Sequence, residues 1–379
     1  MSIPAKGRPI VEEFNLLRAF SILGVLMVHA TSEAIAMVEK TSSVYPVYVT
    51  LNTFAMFCVP AFIFLTGFVL FYNYYRKPIS ASMLKAFYSK RLLQIVIPYM
   101  LISILFFFTR KALNDDLGPW QAMVPELLER LLNGTAYTHL YYIFVLIQFY
   151  LLFPLLLWVL QRWPVLARWS IVIGLAVQWG FYYVNKLWLD VPSKGSVSLA
   201  YFAPFLLGVF VGIYYERIQS WFSLRPEPTS RSARAKLGQL ILWLTWLAAS
   251  AGYIWLWYAN YTGWMIVNST WYELGYNLFS MTSIIVLTQL AYQLYRHGPE
   301  QLTSVLQRLA ALSFGIYLIH PMLLLLYRSF PPSELTPMVY HLWKAGGFFF
   351  ALLGSAILLV ALYRLIPPVW LLFGPRPKL

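Results

Sequence analysis

The chain has 379 residues, 60% of them hydrophobic and only 11% charged, against roughly 25% charged residues in an ordinary soluble domain; water is excluded as the solvent for most of its surface. Its net charge of +14 would suit a nucleic-acid partner, but the basic residues sit in short segments between apolar runs rather than along one soluble face, so no nucleic acid is expected. The single Cys58 lies inside an apolar run, which leaves neither an intrachain disulfide nor a thiolate metal cluster, and no metal is expected.

A helix needs roughly 20 apolar residues to cross the ~30 Å hydrocarbon layer. Runs of that kind predict an all-α, polytopic transmembrane bundle of about ten spans, near residues 14–34, 47–72, 92–109, 138–160, 165–186, 197–215, 237–258, 271–294, 305–327 and 345–372. They follow one another with short polar breaks, so residues 1–379 read as a single integral membrane domain with no separate soluble domain. Ten spans put both termini on one side. With the amino terminus inside, eighteen of the 28 basic residues fall in inside segments and eight outside, while Arg18 and Arg364 lie within spans. Both termini therefore read as cytoplasmic, in a multi-pass protein of the cell membrane.

At the amino terminus, Lys6 and Arg8 precede an apolar run that reaches Val28-His29-Ala30, the outline of a cleavable signal peptide. Glu12, Glu13 and Arg18 spoil that profile, and the segment is read as a retained first span. Within FNLLRAFSILGVLMVHATSE, Arg18 and His29 are 11 residues apart, about 20° beyond three full helical turns, so both point from one face about 16 Å apart. His29 is then roughly 22 Å into the span, and Arg18 near the cytoplasmic leaflet. Glu33, one turn beyond His29, can reach the imidazole and hold one tautomer.

Lys90 and Arg91 open the third span in SKRLLQIVIPY, at about the level expected for Arg18. Between the third and fourth spans, the stretch from Pro125 places Leu127, Leu128, Leu131 and Leu132 on one stripe and stops at Asn133-Gly134, which predicts a short helix on the outer surface. His139 stands at the outer start of the fourth span. Residues 218–236 are basic and rich in Pro and Ser, as suits a cytoplasmic linker beside anionic lipid. The ninth span carries SFGIYLIHPMLL, where His320 lies as deep as His29 and Pro321 cannot donate to the carbonyl of Tyr317, a break found where bundles line a polar cavity.

An ionisable side chain at the bilayer centre costs about 2.5 kcal/mol or more, so each needs a partner or a task. Blander readings exist for all of them. A histidine can merely join two helices, Arg18 and Arg364 can snorkel, and Lys90 and Arg91 can be orientation charges. The joint placement of Arg18 and His29 favours chemistry: cations on the cytoplasmic side and imidazoles about 15 Å further out suit a long anionic donor and an acceptor arriving from outside. That reading requires the two to share a polar channel sealed from lipid.

At these residues the chain resembles the acyltransferase-3 family of membrane-bound acyltransferases, which modify cell-surface polysaccharides, peptidoglycan and other extracytoplasmic acceptors. The family's arginine, ten residues, histidine pattern stands as Arg18 to His29 in LLRAFSILGVLMVHA. VPAFIFLTGFVLF, with Pro60 and Gly67, then HLYYIFVLIQFYLLFP, YFAPFLLGVFVG and LSFGIYLIHP follow in the family's order over nearly the whole chain. The resemblance implies that His29 is catalytic and that Arg18 handles acyl-CoA. One departure is Gln94, where the family often has the second of two basic residues; KRLLQIVIPY is more similar to the branch that includes the membrane protein of poly-N-acetylglucosamine (intercellular adhesin) synthesis, viewed as an exporter or an O-acyltransferase.

The expectation is thus a membrane-bound O-acyltransferase moving an acyl group, most simply acetyl, from cytoplasmic acyl-CoA to a hydroxyl of an envelope polysaccharide or glycolipid. Arg18, Lys90 and Arg91 would bind the donor's phosphates, His29 positioned by Glu33 would act on the acceptor hydroxyl, and His139, Tyr317 and His320 would line or support the acceptor side. The rival is an exporter of a polysaccharide or lipid-linked sugar; inverted repeats, frequent in transporters, are not evident between the halves. A membrane scaffold is disfavoured by Arg18 and His29 sharing a face.

Overall fold

The computed structural model describes residues 9–224, 233–334 and 336–376. Among them the regular elements are all helices, as a chain in lipid requires when each backbone N–H and C=O must be satisfied within its own segment. In chain order they are α1 (Glu13–Met37), α2 (Tyr45–Ala55), α3 (Cys58–Tyr74), α4 (Ala81–Arg91), a π turn (Leu92–Val96), α5 (Ile97–Leu113), α6 (Trp120–Asn133), α7 (Tyr141–Arg162), α8 (Pro164–Arg168), α9 (Ser170–Val184) and a second π turn (Asn185–Leu189). Two short 3₁₀ turns lead into α10 (Phe202–Phe222), followed by α11 (Ala233–Tyr261), α12 (Ser269–His297), α13 (Glu300–Arg328), α14 (Pro337–Leu365) and α15 (Trp370–Phe373).

Among the described residues nine helical segments are long and apolar enough to cross a membrane, so the chain is a multi-pass membrane protein. The fifth expected span, 165–186, is the exception. Pro164 starts a new five-residue helix that ends at Arg168, and α9 with its π turn then runs from Ser170 to Leu189, about the 20 residues a crossing needs, with Asn185 and Lys186 interrupting the apolar run. The third span begins earlier than hydropathy suggests, because Ser80 accepts from the Met83 amide at 3.2 Å and starts α4 in polar sequence. The short helix expected from Pro125 also begins earlier, at Trp120, and ends as expected at Asn133 with Gly134 at φ +70°. Its stripe leaves Leu128 and Leu132 exposed. Of the expected linker at 218–236, residues 225–232 lie outside the described residues, as do Lys6 and Arg8; its flanks belong to α10 and α11.

The chain forms two compact units. One takes in Ile63–Tyr215 and the segment from Leu362, the other Pro9–Phe62 and Glu216–Ala361. In the first unit, α3 and α10 cross backbone to backbone through glycines. A methyl group at Gly212 would come to 2.6 Å from the Phe68 carbonyl oxygen, and one at Gly208 would overlap that of Phe64; this is the close approach that small residues four apart allow in a membrane. Phe149 stacks on Phe205 at 4.0 Å beside that crossing, and Tyr99 donates to the Leu131 carbonyl at 2.7 Å, fastening α6 to α5.

In the second unit α1 packs among α2, α12 and α13. Hydrogen bonds join these helices where apolar contact gives no advantage over lipid: the Asn52 amide donates to the Val28 carbonyl at 2.9 Å and to Thr31 at 3.0 Å. Trp246 donates to Ser283 at 3.0 Å, linking α11 to α12. At the start of α1, Glu13 pairs with Arg296 at 3.3 Å.

Candidate functional site

The second unit places His29 of α1 against His320 of α13, with ring centroids 5.0 Å apart and planes inclined by 56°. His320 is fully buried and Tyr317 is 4% exposed, their ring centroids 6.1 Å apart. The arrangement follows from helical spacing: Tyr317 and His320 are three apart and so share a face of α13.

Pro321 sits inside α13 and the helix continues to Arg328. With no N–H at 321, the Tyr317 carbonyl loses its regular partner, and His320 Nδ1 lies 2.9 Å from that oxygen and 3.0 Å from the Ile316 oxygen. A carbonyl can only accept, so Nδ1 carries the proton and donates. In the neutral ring Nε2 is then the basic nitrogen.

Around His29 and Glu33 the structure gathers two cations that sequence alone places only among the basic residues of the outside segments. Arg328, the last residue of α13, donates from Nη2 to the His29 carbonyl at 2.8 Å. Its Nε forms an ion pair with one oxygen of Glu33 at 2.7 Å, and Lys344 of α14 pairs with the other at 2.7 Å. The Lys344 ammonium also lies over the rings of Trp343 and Tyr340, at 4.5 and 5.1 Å, in favourable reach of their π faces. The carboxylate expected to orient the imidazole is thus engaged by two cations, and Arg328 connects it to the His29 backbone. The sequence signal was slight: Arg328 and Lys344 each flank a long apolar run. The reach of Arg328 back along α13 follows from the N-terminal lean of helical side chains.

Arg18 and His29 are both half-buried, and they share a face of α1 as the spacing predicts. Between them on that face, Ile22, Val25 and Leu26 are 0%, 3% and 0% exposed. This corrects the expectation of a continuous polar channel. In this conformation a packed apolar segment separates the guanidinium from the imidazole, because helices α2, α12 and α13 close over the middle of α1.

The first unit holds the other expected residues. Lys90 is exposed at the end of α4, and Arg91 precedes the π turn that includes Gln94. The Arg91 guanidinium lies over the rings of Tyr150 and Phe87, 4.8 and 5.2 Å from their centroids, with a buried Nε that meets no hydrogen-bond acceptor among the described residues. A π turn at such a position is a feature often found at functional sites. His139 is 1% exposed and packed edge-on to Phe106 at 5.1 Å, next to Tyr137.

The chain is 22% identical, over 324 residues covering 82% of each sequence, to the "Probable poly-beta-1,6-N-acetyl-D-glucosamine export protein" of Staphylococcus aureus strains MSSA476 and MRSA252. No solved structure matches it significantly. The acyltransferase domain that defines the acyltransferase-3 family matches residues 11–365, and the chain belongs to that family.

Proposed function

We propose that this protein is an O-acyltransferase of the cell membrane that moves an acetyl or other acyl group from cytoplasmic acyl-CoA to a hydroxyl of an extracytoplasmic polysaccharide or glycolipid. The observation that carries the reading is the His29–His320 pair in the interior of a membrane bundle, where an imidazole costs too much to be kept without a partner or a task. Counted over ten crossings, with α9 and its π turn as the fifth, the excess of basic residues in the segments expected inside supports a cytoplasmic amino terminus.

In the proposed reaction His29 accepts the proton of the acceptor hydroxyl as its oxygen attacks the thioester carbonyl. The carbon–sulfur bond breaks, an ester forms, and the proton passes to the departing thiolate, giving free CoA. Negative charge grows on the carbonyl oxygen during attack, and the Glu33-held guanidinium of Arg328 is the nearest fixed positive charge to His29 with which to offset it. His320 and Tyr317 form the wall against His29. Arg18, on the same face of α1 as His29, takes a phosphate of the donor. Acyl transfer along α1 then requires the segment at Ile22, Val25 and Leu26 to part during turnover.

A second reading is favoured by the name of the staphylococcal relatives, which assigns them export: the protein would move a glycan and transfer no acyl group. Mass spectrometry of envelope glycans from cells carrying wild-type protein or His29→Ala at equal levels tests the choice. The acyltransferase reading expects ester-linked acyl groups with the first and not the second; equal acylation in both rejects His29 as the catalytic base.

A further inference from the structure

The first unit contains a cavity of about 680 Å³ between the end of α5, the loop after α6, the start of α7 and the 3₁₀ turns before α10, within the size range of small-molecule sites. Its lining is unusual for a membrane bundle. Three tyrosines (Tyr137, Tyr141 and Tyr201), two threonines, two serines, Arg110 and two glycines form it, with neither a carboxylate nor an aliphatic side chain among the lining residues.

The wall is held in place by bonds that do not depend on a ligand. Gln148 of α7 donates to the Ser196 carbonyl at 2.6 Å and accepts from the Ser198 amide at 2.9 Å, which fixes the 3₁₀ segment. Tyr137 stacks on Phe106 with centroids 4.4 Å apart. Gly134, at φ +70°, ends α6 and turns the chain into the cavity wall.

We infer that this cavity binds an uncharged pyranose segment of a glycan. Tyrosine rings offer flat apolar faces with a polar tip, which match the C–H face of a sugar ring, and the hydroxyls of Thr138 and Ser196 can each donate and accept, as sugar hydroxyls do. A metal ion or an amine would want a carboxylate, and a lipid tail would want aliphatic walls. A phosphate would find a single guanidinium, on the exposed side chain of Arg110. The inference rests on the proposed function only for the choice of oligosaccharide, since binding requires no acyl transfer.

The test is calorimetric titration of the full-length protein in nanodiscs with a β-1,6-linked N-acetylglucosamine pentasaccharide. A methyl group at Gly195 would have only the Tyr201 hydroxyl, 3.7 Å away, within reach, so Gly195→Trp can fill the cavity without disturbing the fold. Expected are saturable binding by wild type, its loss in Gly195→Trp, a weakening of about three- to tenfold in Thr138→Val, unchanged melting temperatures, and wild-type affinity in Gly238→Ala, at a position with open space around it. Absence of binding by wild type, full affinity in Gly195→Trp, or displacement of the sugar by millimolar inorganic phosphate would each overturn the inference. Binding without any acyl transfer would leave it standing and reject the enzymatic reading; acyl transfer without binding in the cavity would do the reverse.

Discussion

His320 donates from Nδ1 to the carbonyl of Tyr317, the oxygen that Pro321 cannot reach with an N–H. The tautomer of the histidine that faces His29 is thus held by two oxygens, the one that the proline frees and that of Ile316. Pro321→Ala would restore an N–H that competes for the same oxygen. The melting temperature of the purified protein should rise, since proline is the poorest residue in a helix interior, while acyl transfer falls about threefold as Nδ1 loses one of its two acceptors and keeps that of Ile316. Assay and thermal melt on one preparation check both directions.

Glu33 carries both Arg328 and Lys344. Glu33→Gln leaves the buried ammonium of Lys344 without its counter-charge, at a cost of about 1–3 kcal/mol after discounting for the partial exposure of Glu33. Adding Lys344→Met should recover much of that stability but not the activity, because Arg328 still lacks its anchor. Denaturation midpoints and transfer rates for the three variants provide the comparison.

Gly208 and Gly212 lie where α3 and α10 touch backbone to backbone, whereas Gly238 on α11 has open space around it. Gly208→Val should lower stability by about 1–3 kcal/mol or abolish accumulation of folded protein. Gly238→Ala should be neutral or stabilising by up to about 1 kcal/mol. Fluorescence-detected size exclusion of the two variants in detergent distinguishes them.

Lys111 and Arg130 hold the Glu126 carboxyl below the usual carboxylate range, through ion pairs of 2.8 and 2.7 Å. A depressed value means the folded state favours the ionised form. Its contribution is fully present above the ordinary value near 4.5 and is lost as the pH falls through the lower folded value. The melting temperature should therefore drop on acidification below about pH 4.5, and Glu126→Gln should flatten that part of the profile by slightly lowering the melting temperature near neutrality, the two proteins converging at low pH.

The helices were legible because hydropathy sees length and apolarity, and nine of the expected spans are long helical segments. The stretch at 165–186 falls outside those nine because a helix restarts at Pro164, and α9 and its π turn carry Asn185 and Lys186 before they end at Leu189. Helical phase brought Arg18 and His29 to one face, and depth matched His29 with His320. Phase is blind to neighbours, however: the closure of Ile22, Val25 and Leu26 between the cations and the imidazoles depends on which helices cover α1. The same blindness hid Arg328 and Lys344, whose partnership with Glu33 joins residues about 300 positions apart in the chain.

Proteoliposomes that present isotopically labelled acetyl-CoA to one face and an N-acetylglucosamine oligosaccharide to the other bear most directly on the role of His29. Wild-type protein should yield labelled O-acetyl ester on the oligosaccharide together with one free CoA per ester, and His29→Ala should yield neither above background. Oligosaccharide that crosses the bilayer unmodified, at the same rate in both proteins, would contradict the account.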